Sequence, residues 1–280
     1  MAEAVLARLA DPAAPPLIMG VLNLTPDSFS DGGCHASLDA ALAQARLMRE
    51  EGASIVDVGG ESTRPGAAPV SDDLQIARVL PVLTALRRAH GAAFAISVDT
   101  RSAAVAEAAL AAGADMINDV SGARDPAMLA CVARHGAAIV LMHMQGTPAT
   151  MQIDPRYEDV TREVRDYLAA RAAAAVDAGI ARARIVLDPG IGFGKTRAHN
   201  LQLLRDLPQL AVLGHPLMLG TSRKRFMGAI CRETQPQELV GATCATTALG
   251  VAAGVRVFRV HDVKPNRQAL EVAWALRSEP

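Results

Sequence analysis

Met19-Gly-Val-Leu-Asn-Leu-Thr-Pro-Asp-Ser-Phe-Ser-Asp-Gly-Gly33 joins a short apolar run to an unbroken string of polar and turn-forming residues. The run stops at Asn23, so the pattern is a strand that feeds a long polar loop. The same grammar returns seven more times. Apolar runs occupy 17–22, 54–58, 94–98, 115–117, 137–142, 184–187, 216–219 and 255–260. Each precedes an alanine-rich amphipathic stretch, near 38–51, 72–89, 103–112, 126–135, 157–178, 200–207, 238–253 and 266–277. Eight strands are therefore expected, each followed by a helix.

Several stretches end on glycine before the next strand, as at Gly52, Gly113, Gly136, Gly179 and Gly254. Glycine there supplies the left-handed backbone of a helix C-cap. The strands are continuously apolar, as expected when both faces are covered. Eight such units without a break in composition predict an α/β fold, a single (β/α)8 TIM barrel with extended loops after strands 1 and 2. An open doubly wound sheet is the alternative, but the dinucleotide fingerprint is missing after the first strand. Residues 1–16 read as an N-terminal extension and 17–280 as the barrel domain.

Composition narrows the partners. The 280 residues are half hydrophobic and only 3% aromatic, so the core is aliphatic. The net charge of −1, with Lys and Arg spread along the chain, argues against nucleic acid or an anionic membrane. Cys34, Cys131, Cys231 and Cys244 form no Cys-x-x-Cys pair, which reads as thiols in a reducing compartment. No run approaches the roughly 20 apolar residues of a membrane helix, and the first sixteen residues have no signal-peptide core. A cytoplasmic protein is expected.

Barrel active sites form at the C-terminal ends of the strands. Those ends read Asn23; Asp57 with Gly59–Arg64; Asp99-Thr100-Arg101; Asn118-Asp119; His143; Asp188; Ser222-Arg223-Lys224; and Arg259 with His261-Asp262. One polar residue after a strand commonly caps the next helix; eight sets together point to a site. Asp99, Asn118 and Asp188 offer acceptors for a flat heterocycle with adjacent N–H donors. Arg64, Arg223, Lys224, Arg259 and His261 offer donors and positive charge suited to phosphate. Gly194-Lys195-Thr196 imitates a P-loop, but Pro189 stands where that motif needs glycine. Glycines 190, 192 and 194 instead suit a tight turn that presents Phe193. His143, between two methionines, reads as structural. Asn23 is a candidate oxygen ligand for Mg²⁺, which needs few protein ligands.

With these residues laid out, the chain resembles the dihydropteroate synthase family, the folate-pathway enzymes inhibited by sulfonamides. The resemblance rests on Asn23–Gly33, Gly59–Gly66, Ser97–Thr100, Ile117–Val120, Leu141–Gly146, Asp188–Lys195, Ser222–Lys224 and Arg259–Val263, in that order. Departures are minor: Leu24 stands where valine is common, and 121–124 lies in a variable loop. The resemblance implies condensation of 6-hydroxymethyl-7,8-dihydropterin pyrophosphate with 4-aminobenzoate, with Mg²⁺ as cofactor and a homodimer through the last helices. It implies that Asp99, Asn118, Met142, Asp188, Phe193 and Lys224 bind the pterin. It assigns pyrophosphate to Asn23, Thr63, Arg259 and His261, with Asn23 also the metal ligand. It assigns aminobenzoate to Phe29, Thr63, Arg64, Pro65 and Ser222, and catalysis to Asp99, Lys224, Arg259 and His261. The competing readings are a pterin-binding methyltransferase, which has no use for the anion-binding Arg259 and His261, and a silent pterin-binding paralogue. The intact Asn23, Thr63-Arg64 and Arg259-x-His261 positions argue against both.

Overall fold

A computed structural model describes residues 2–24, 34–64, 66–91 and 95–278. In chain order the elements are α1 (Ala2–Ala7), β1 (Leu17–Asn23), α2 (Cys34–Glu50), β2 (Ile55–Gly59), α3 (Asp72–His90), β3 (Ala95–Asp99), α4 (Ala103–Ala111), β4 (Met116–Asp119), α5 (Met128–Arg134) and β5 (Ala138–Met142). They continue with α6 (Val160–Asp177), β6 (Ile185–Asp188), α7 (Arg197–Arg205), α8 (Leu207–Ala211), β7 (Met218–Leu219), α9 (Arg225–Cys231), α10 (Val240–Ala252), β8 (Val257–Val260) and α11 (Val263–Ser278). The strands are parallel in the order β6-β5-β4-β3-β2-β1-β8-β7. A parallel bridge from Leu187 to Leu217 joins the two ends. The eight expected strand–helix units are present, and the barrel closes.

Three helices were not legible in the sequence. α8 and α9 are short segments of five and seven residues. α1 lies within the supposed extension. Leu6 and Leu9 are buried, packed with the inward residues Leu17, Met19, Ile55, Ala95, Met116, Ala138, Val140, Val186, Met218 and Val257. Residues 2–16 thus plug the bottom of the barrel. Arg256, at the foot of β8, fastens the plug by donating to the carbonyls of Arg8, Leu9, Asp11 and Ala14 at 2.6–3.3 Å.

The strands alternate between two environments because successive side chains point to opposite faces. Outward residues such as Ile18, Val56, Ile96, Ile117, Ile139, Leu187 and Phe258 join the apolar layer beneath the helices. The capping glycines behave as the sequence predicts: Gly113, for example, has φ of +100° and its N–H returns to Leu110 O. Ser102, Asp159 and Thr196 supply side-chain N-caps for α4, α6 and α7.

Candidate active site

Two residues up from the apolar plug, the inward positions of five strands turn polar. Ile55 is followed by Asp57, Ala95 by Ser97 and Asp99, Met116 by Asn118, Val186 by Asp188, and Val257 by Arg259. These carboxylates and the amide are buried, and Asp57 is 0% exposed. Arg259 makes their arrangement tenable. Its Nε donates to Asp57 Oδ2 at 2.7 Å and its Nη2 to Asp99 Oδ2 at 2.8 Å. Buried carboxylates need such a partner, because desolvating an unpaired charge costs several kcal/mol.

Asp57 has a second task. Its Oδ2 accepts from Asn118 Nδ2 at 3.0 Å, which turns Asn118 Oδ1 the other way. That oxygen is buried and has no hydrogen-bond partner, as are Asp57 Oδ1 and Ser97 Oγ. Buried polar atoms are normally satisfied; two unsatisfied acceptors and a hydroxyl within the barrel are a place for a ligand's polar groups. Asp188 is similar. Its Oδ1 accepts from Gly190 N at 2.6 Å, while Oδ2 lies over Gly220, 3.9 Å from where a Cβ would stand. Burial raises the pKa of Asp188, against Lys224 and the Gly190 N–H, which lower it. Burial pushes Asp99 up to about 7, helped by Asp57, Asp119 and Glu61 and opposed by Arg259.

The wall opposite is built by the loop after β6. Gly190 has φ of +65°, and a Cβ there would sit 1.9 Å from His143 O. Only a glycine lets this loop lie on the loop after β5. Underneath, the buried Lys195 ammonium donates to the carbonyls of His143, Gly190 and Phe193 at 3.0–3.3 Å and lies 2.9 Å from His143 Nδ1. Lys195 therefore ties two loops together from below, consistent with rejection of a P-loop. Burial and Lys195 push His143 down to about 3, so it is a neutral structural histidine as expected. The loop presents Phe193, packed with Met142, Val120, Met144 and Met151. Lys224 crosses it, donating to Ile191 O with Nζ 4.6 Å from the Phe193 ring centre. Burial lowers Lys224 to about 8, although Asp188 opposes the shift.

His261 and Ser222 form a pair at the rim. Ser222 Oγ accepts from His261 N at 3.1 Å and lies 2.9 Å from His261 Nδ1. The sequence grouped His261 with the positive residues. Burial, then Arg259 and Arg223, push it down to about 3, so its ring is neutral. The serine hydroxyl can then donate to Nδ1, leaving Nε2–H as a donor. Arg223 is likewise not a free cation; it forms a two-pronged pair with Asp262 at 2.6 and 3.0 Å.

Other polar residues after the strands are staples. Asp119 binds Ser121 N, Ser121 Oγ and Ala123 N at 2.6–3.0 Å, fixing a turn. Glu61 accepts from Arg101 at 2.6 Å and from Val70 N at 3.0 Å, anchoring the far end of the loop after β2. Thr63 is half-buried and Arg64 exposed on that loop. Phe29, Pro65 and the whole of 25–33 lie outside the described residues. Asn23 ends β1, and its Oδ1 would be 3.4 Å from a Cβ on Gly59, with Asp99 Cβ at 3.7 Å. That oxygen and Asp99 Cβ thus stand at ordinary contact distance from the same Gly59 position.

The sequence marked Asp57 and Lys195 without giving either a role. Period two counted back from Gly59 would have placed Asp57 inside the barrel. Nothing local assigns a role to Lys195, whose partners are backbone carbonyls of other loops.

A closed (β/α)8 barrel whose mouth sets unsatisfied acceptors beside an aromatic–methionine wall and a half-buried arginine defines an enzyme for a flat, donor-rich heterocycle. The comparisons agree with that class: a family model described as pterin binding enzyme matches residues 19–261. A dihydropteroate synthase from Synechocystis sp. is 48% identical over 260 residues, covering 92% of this chain and 89% of the relative. A Xanthomonas albilineans dihydropteroate synthase structure with 4-aminobenzoic acid is 44% identical, with a TM-score of 0.89 over 97% of this chain and 95% of that one. A structure from the same organism in complex with 7,8-dihydropteroate is 41% identical, with a TM-score of 0.85 over 96% of both chains. The chain belongs to the dihydropteroate synthase family of pterin-binding barrels.

Proposed function

We propose that this chain joins 6-hydroxymethyl-7,8-dihydropterin pyrophosphate to 4-aminobenzoate, giving 7,8-dihydropteroate and pyrophosphate. The observation that carries this reading is the buried acceptor set, with Asn118 Oδ1 unpartnered beside Asp57 and Arg259. Asn118 and Asp188 accept from the amino-pyrimidine edge, while Met142 and Phe193 pack its ring and Lys224 donates to it. The ligands of the two Xanthomonas structures, 4-aminobenzoic acid and 7,8-dihydropteroate, support the same pair of reactant and product.

The amine of aminobenzoate is a weak nucleophile, because its lone pair is delocalised into the ring. The residues therefore act on the electrophile. Carbon–oxygen cleavage runs ahead of nitrogen attack, and anionic Asp99 stabilises the positive charge that develops on the pterin. Arg259 keeps Asp99 in place, and its unused Nη1 and the neutral His261 N–H meet the departing pyrophosphate. No covalent nucleophile takes part. Asn23 offers a hard carbonyl oxygen at the rim, which suits Mg²⁺ arriving with its waters. When bound, Mg²⁺ supplies Lewis-acid neutralisation of the leaving group's charge. Aminobenzoate enters beside Thr63, Arg64 and Ser222, with Phe29 and Pro65 as further contacts. The described part of the loop after β2, Thr63, Arg64 and 66–70, closes over the reactants and helps exclude water, which would otherwise capture the pterin cation.

The catalyst works as a homodimer in the cytoplasm. Ile230 on α9 and Leu249 on α10 are 50% and 67% exposed, and a second copy covers this apolar face. Cys131, Cys231 and Cys244 are free thiols, in keeping with a reducing compartment.

Turnover of the pterin pyrophosphate with aminobenzoate, with and without Mg²⁺, tests the assignment; no dihydropteroate under either condition would refute it. Pyrophosphate released without aminobenzoate supports cleavage first. A nitrogen isotope effect showing bond formation in the transition state, with no such release, would overturn that order. Unchanged hydrogen exchange in 66–70 on adding pterin, pyrophosphate and Mg²⁺ would refute closure. A Leu249→Glu variant that still sediments as the wild type would move the interface elsewhere.

A further inference from the structure

Away from the mouth, on the outer helix layer, three potential metal ligands converge. Glu107 lies on α4; Cys131 lies on α5, and His135 is its C-cap. Cys131 and His135 are four residues apart, so they share one helical face. His135 Nε2 is 2.9 Å from Glu107 Oε1, and Cys131 Sγ is 3.4 Å from Glu107 Oε2. All three donor atoms lie within 4.8 Å of one another. Among the described residues this is the one such group of three His, Cys and carboxylate side chains.

We propose that Glu107, Cys131 and His135 form a second metal site, for Zn²⁺ or a similarly borderline-soft divalent ion. A tetrahedral zinc has ligand bonds of about 2.0–2.3 Å, which spaces its donors roughly 3.3–3.6 Å apart. The observed separations bracket that range, so side-chain adjustments close the site without moving either helix. One sulfur, one imidazole nitrogen and one carboxylate oxygen select zinc over Mg²⁺, which prefers oxygen alone. Glu107 and His135 reach the surface, giving the ion an entry path, with side chains 46% and 26% exposed. The fourth position faces solvent and takes water.

Two obstacles define how the site behaves. Arg134 Nη2 sits 2.6 Å from Glu107 Oε2 and competes for the carboxylate. Its side chain is 62% exposed and has room to swing away. Cys131 must also lose its proton, and burial with the Glu107 carboxylate pushes the thiol up to about 11. Binding therefore releases the thiol proton. The ion pins α4 to α5, bracing the β3–α4–β4–α5 unit that carries Asp99 and Asn118.

The test uses the purified, chelator-treated full chain and Co²⁺ as the spectroscopic stand-in for zinc. One Co²⁺ per chain with a thiolate charge-transfer band is expected, displaced by Zn²⁺ and not by Mg²⁺. Cys131→Ser should abolish the band while leaving dihydropteroate synthesis intact. His135→Gln and Glu107→Gln, both at the surface, should weaken binding on the order of tenfold or more. Arg134→Gln should tighten it. Zn²⁺ should raise the melting temperature of the wild type and not of Cys131→Ser. No thiolate band in the wild type, or a band that survives Cys131→Ser because another cysteine supplies it, would overturn the proposal.

Discussion

The bottom and the mouth of this barrel are built from the same strands, two residues apart, and are stabilised in opposite ways. At the bottom Ile55, Ala95, Met116, Val186 and Val257 meet Leu6 and Leu9 in a dry cluster. Hydrophobic transfer stabilises each fully buried large side chain by about 1.5–3 kcal/mol. At the mouth Asp57 and Asp99 are also buried, but as carboxyl groups paired with the half-buried Arg259. There the desolvation penalty consumes most of the Coulombic gain. One end supplies stability and the other holds chemistry that the first makes tolerable.

The largest effect should come from removing the cation that the mouth depends on. Arg259→Met leaves Asp57 and Asp99 without their shared partner. Urea titration should show a loss of about 3–5 kcal/mol, and kcat should fall by about 10²–10³. Adding Asp57→Leu makes that layer resemble the bottom. The double variant should recover much of the stability and none of the activity. Recovery of both would erase the distinction between the two ends. Leu9→Ala attacks the bottom alone. It should cost about 2–4 kcal/mol while kcat, measured well below the new melting temperature, stays unchanged.

Smaller effects sharpen the account of the mouth. Asp188→Asn replaces two acceptors with an acceptor and a donor, facing a donor-rich edge. Calorimetry should find pterin binding weaker by about 1–3 kcal/mol; unchanged affinity would remove Asp188 from the pterin site. The last prediction concerns pH. Burial raises Asp99 from 3.8 to about 7, so folding favours its protonated form. Its contribution to stability is complete below pH 3.8 and is lost as pH climbs through about 7. Asp99→Asn should flatten that decline in the ligand-free enzyme. In kinetics the same ionisation is needed, so kcat/KM for the pterin substrate should rise through about 7. It should fall above about 8 as Lys224 loses its proton. Lys224→Arg, whatever it costs in rate, should lose the alkaline limb.

The sequence was most legible where physics is local. Continuous apolar runs, glycine C-caps and the polar residue closing each strand set the barrel and led to Asp99, Asn118, Asp188 and Arg259. It was least legible where function depends on pairing across the fold. Nothing near His261 says that Arg259, Arg223 and burial leave it neutral. Nothing near Arg223 says that Asp262 engages it. The plug was hidden for another reason: Leu6 and Leu9 stand among Arg8, Asp11 and prolines, too short a pattern to distinguish a helix from a tail. Arg256, which fastens that tail, binds carbonyls more than 240 positions away in the chain.

The two-residue step from Ile55 to Asp57 and from Val257 to Arg259 makes each strand a text read in frame. A deletion of a single residue below either step would rotate every side chain above it by one face. Asp57 would then press into the apolar layer under the helices, and Val56 or Val58 would replace it inside. Substitutions can trim this enzyme by degrees, whereas a one-codon indel within a barrel strand would exchange its inside for its outside.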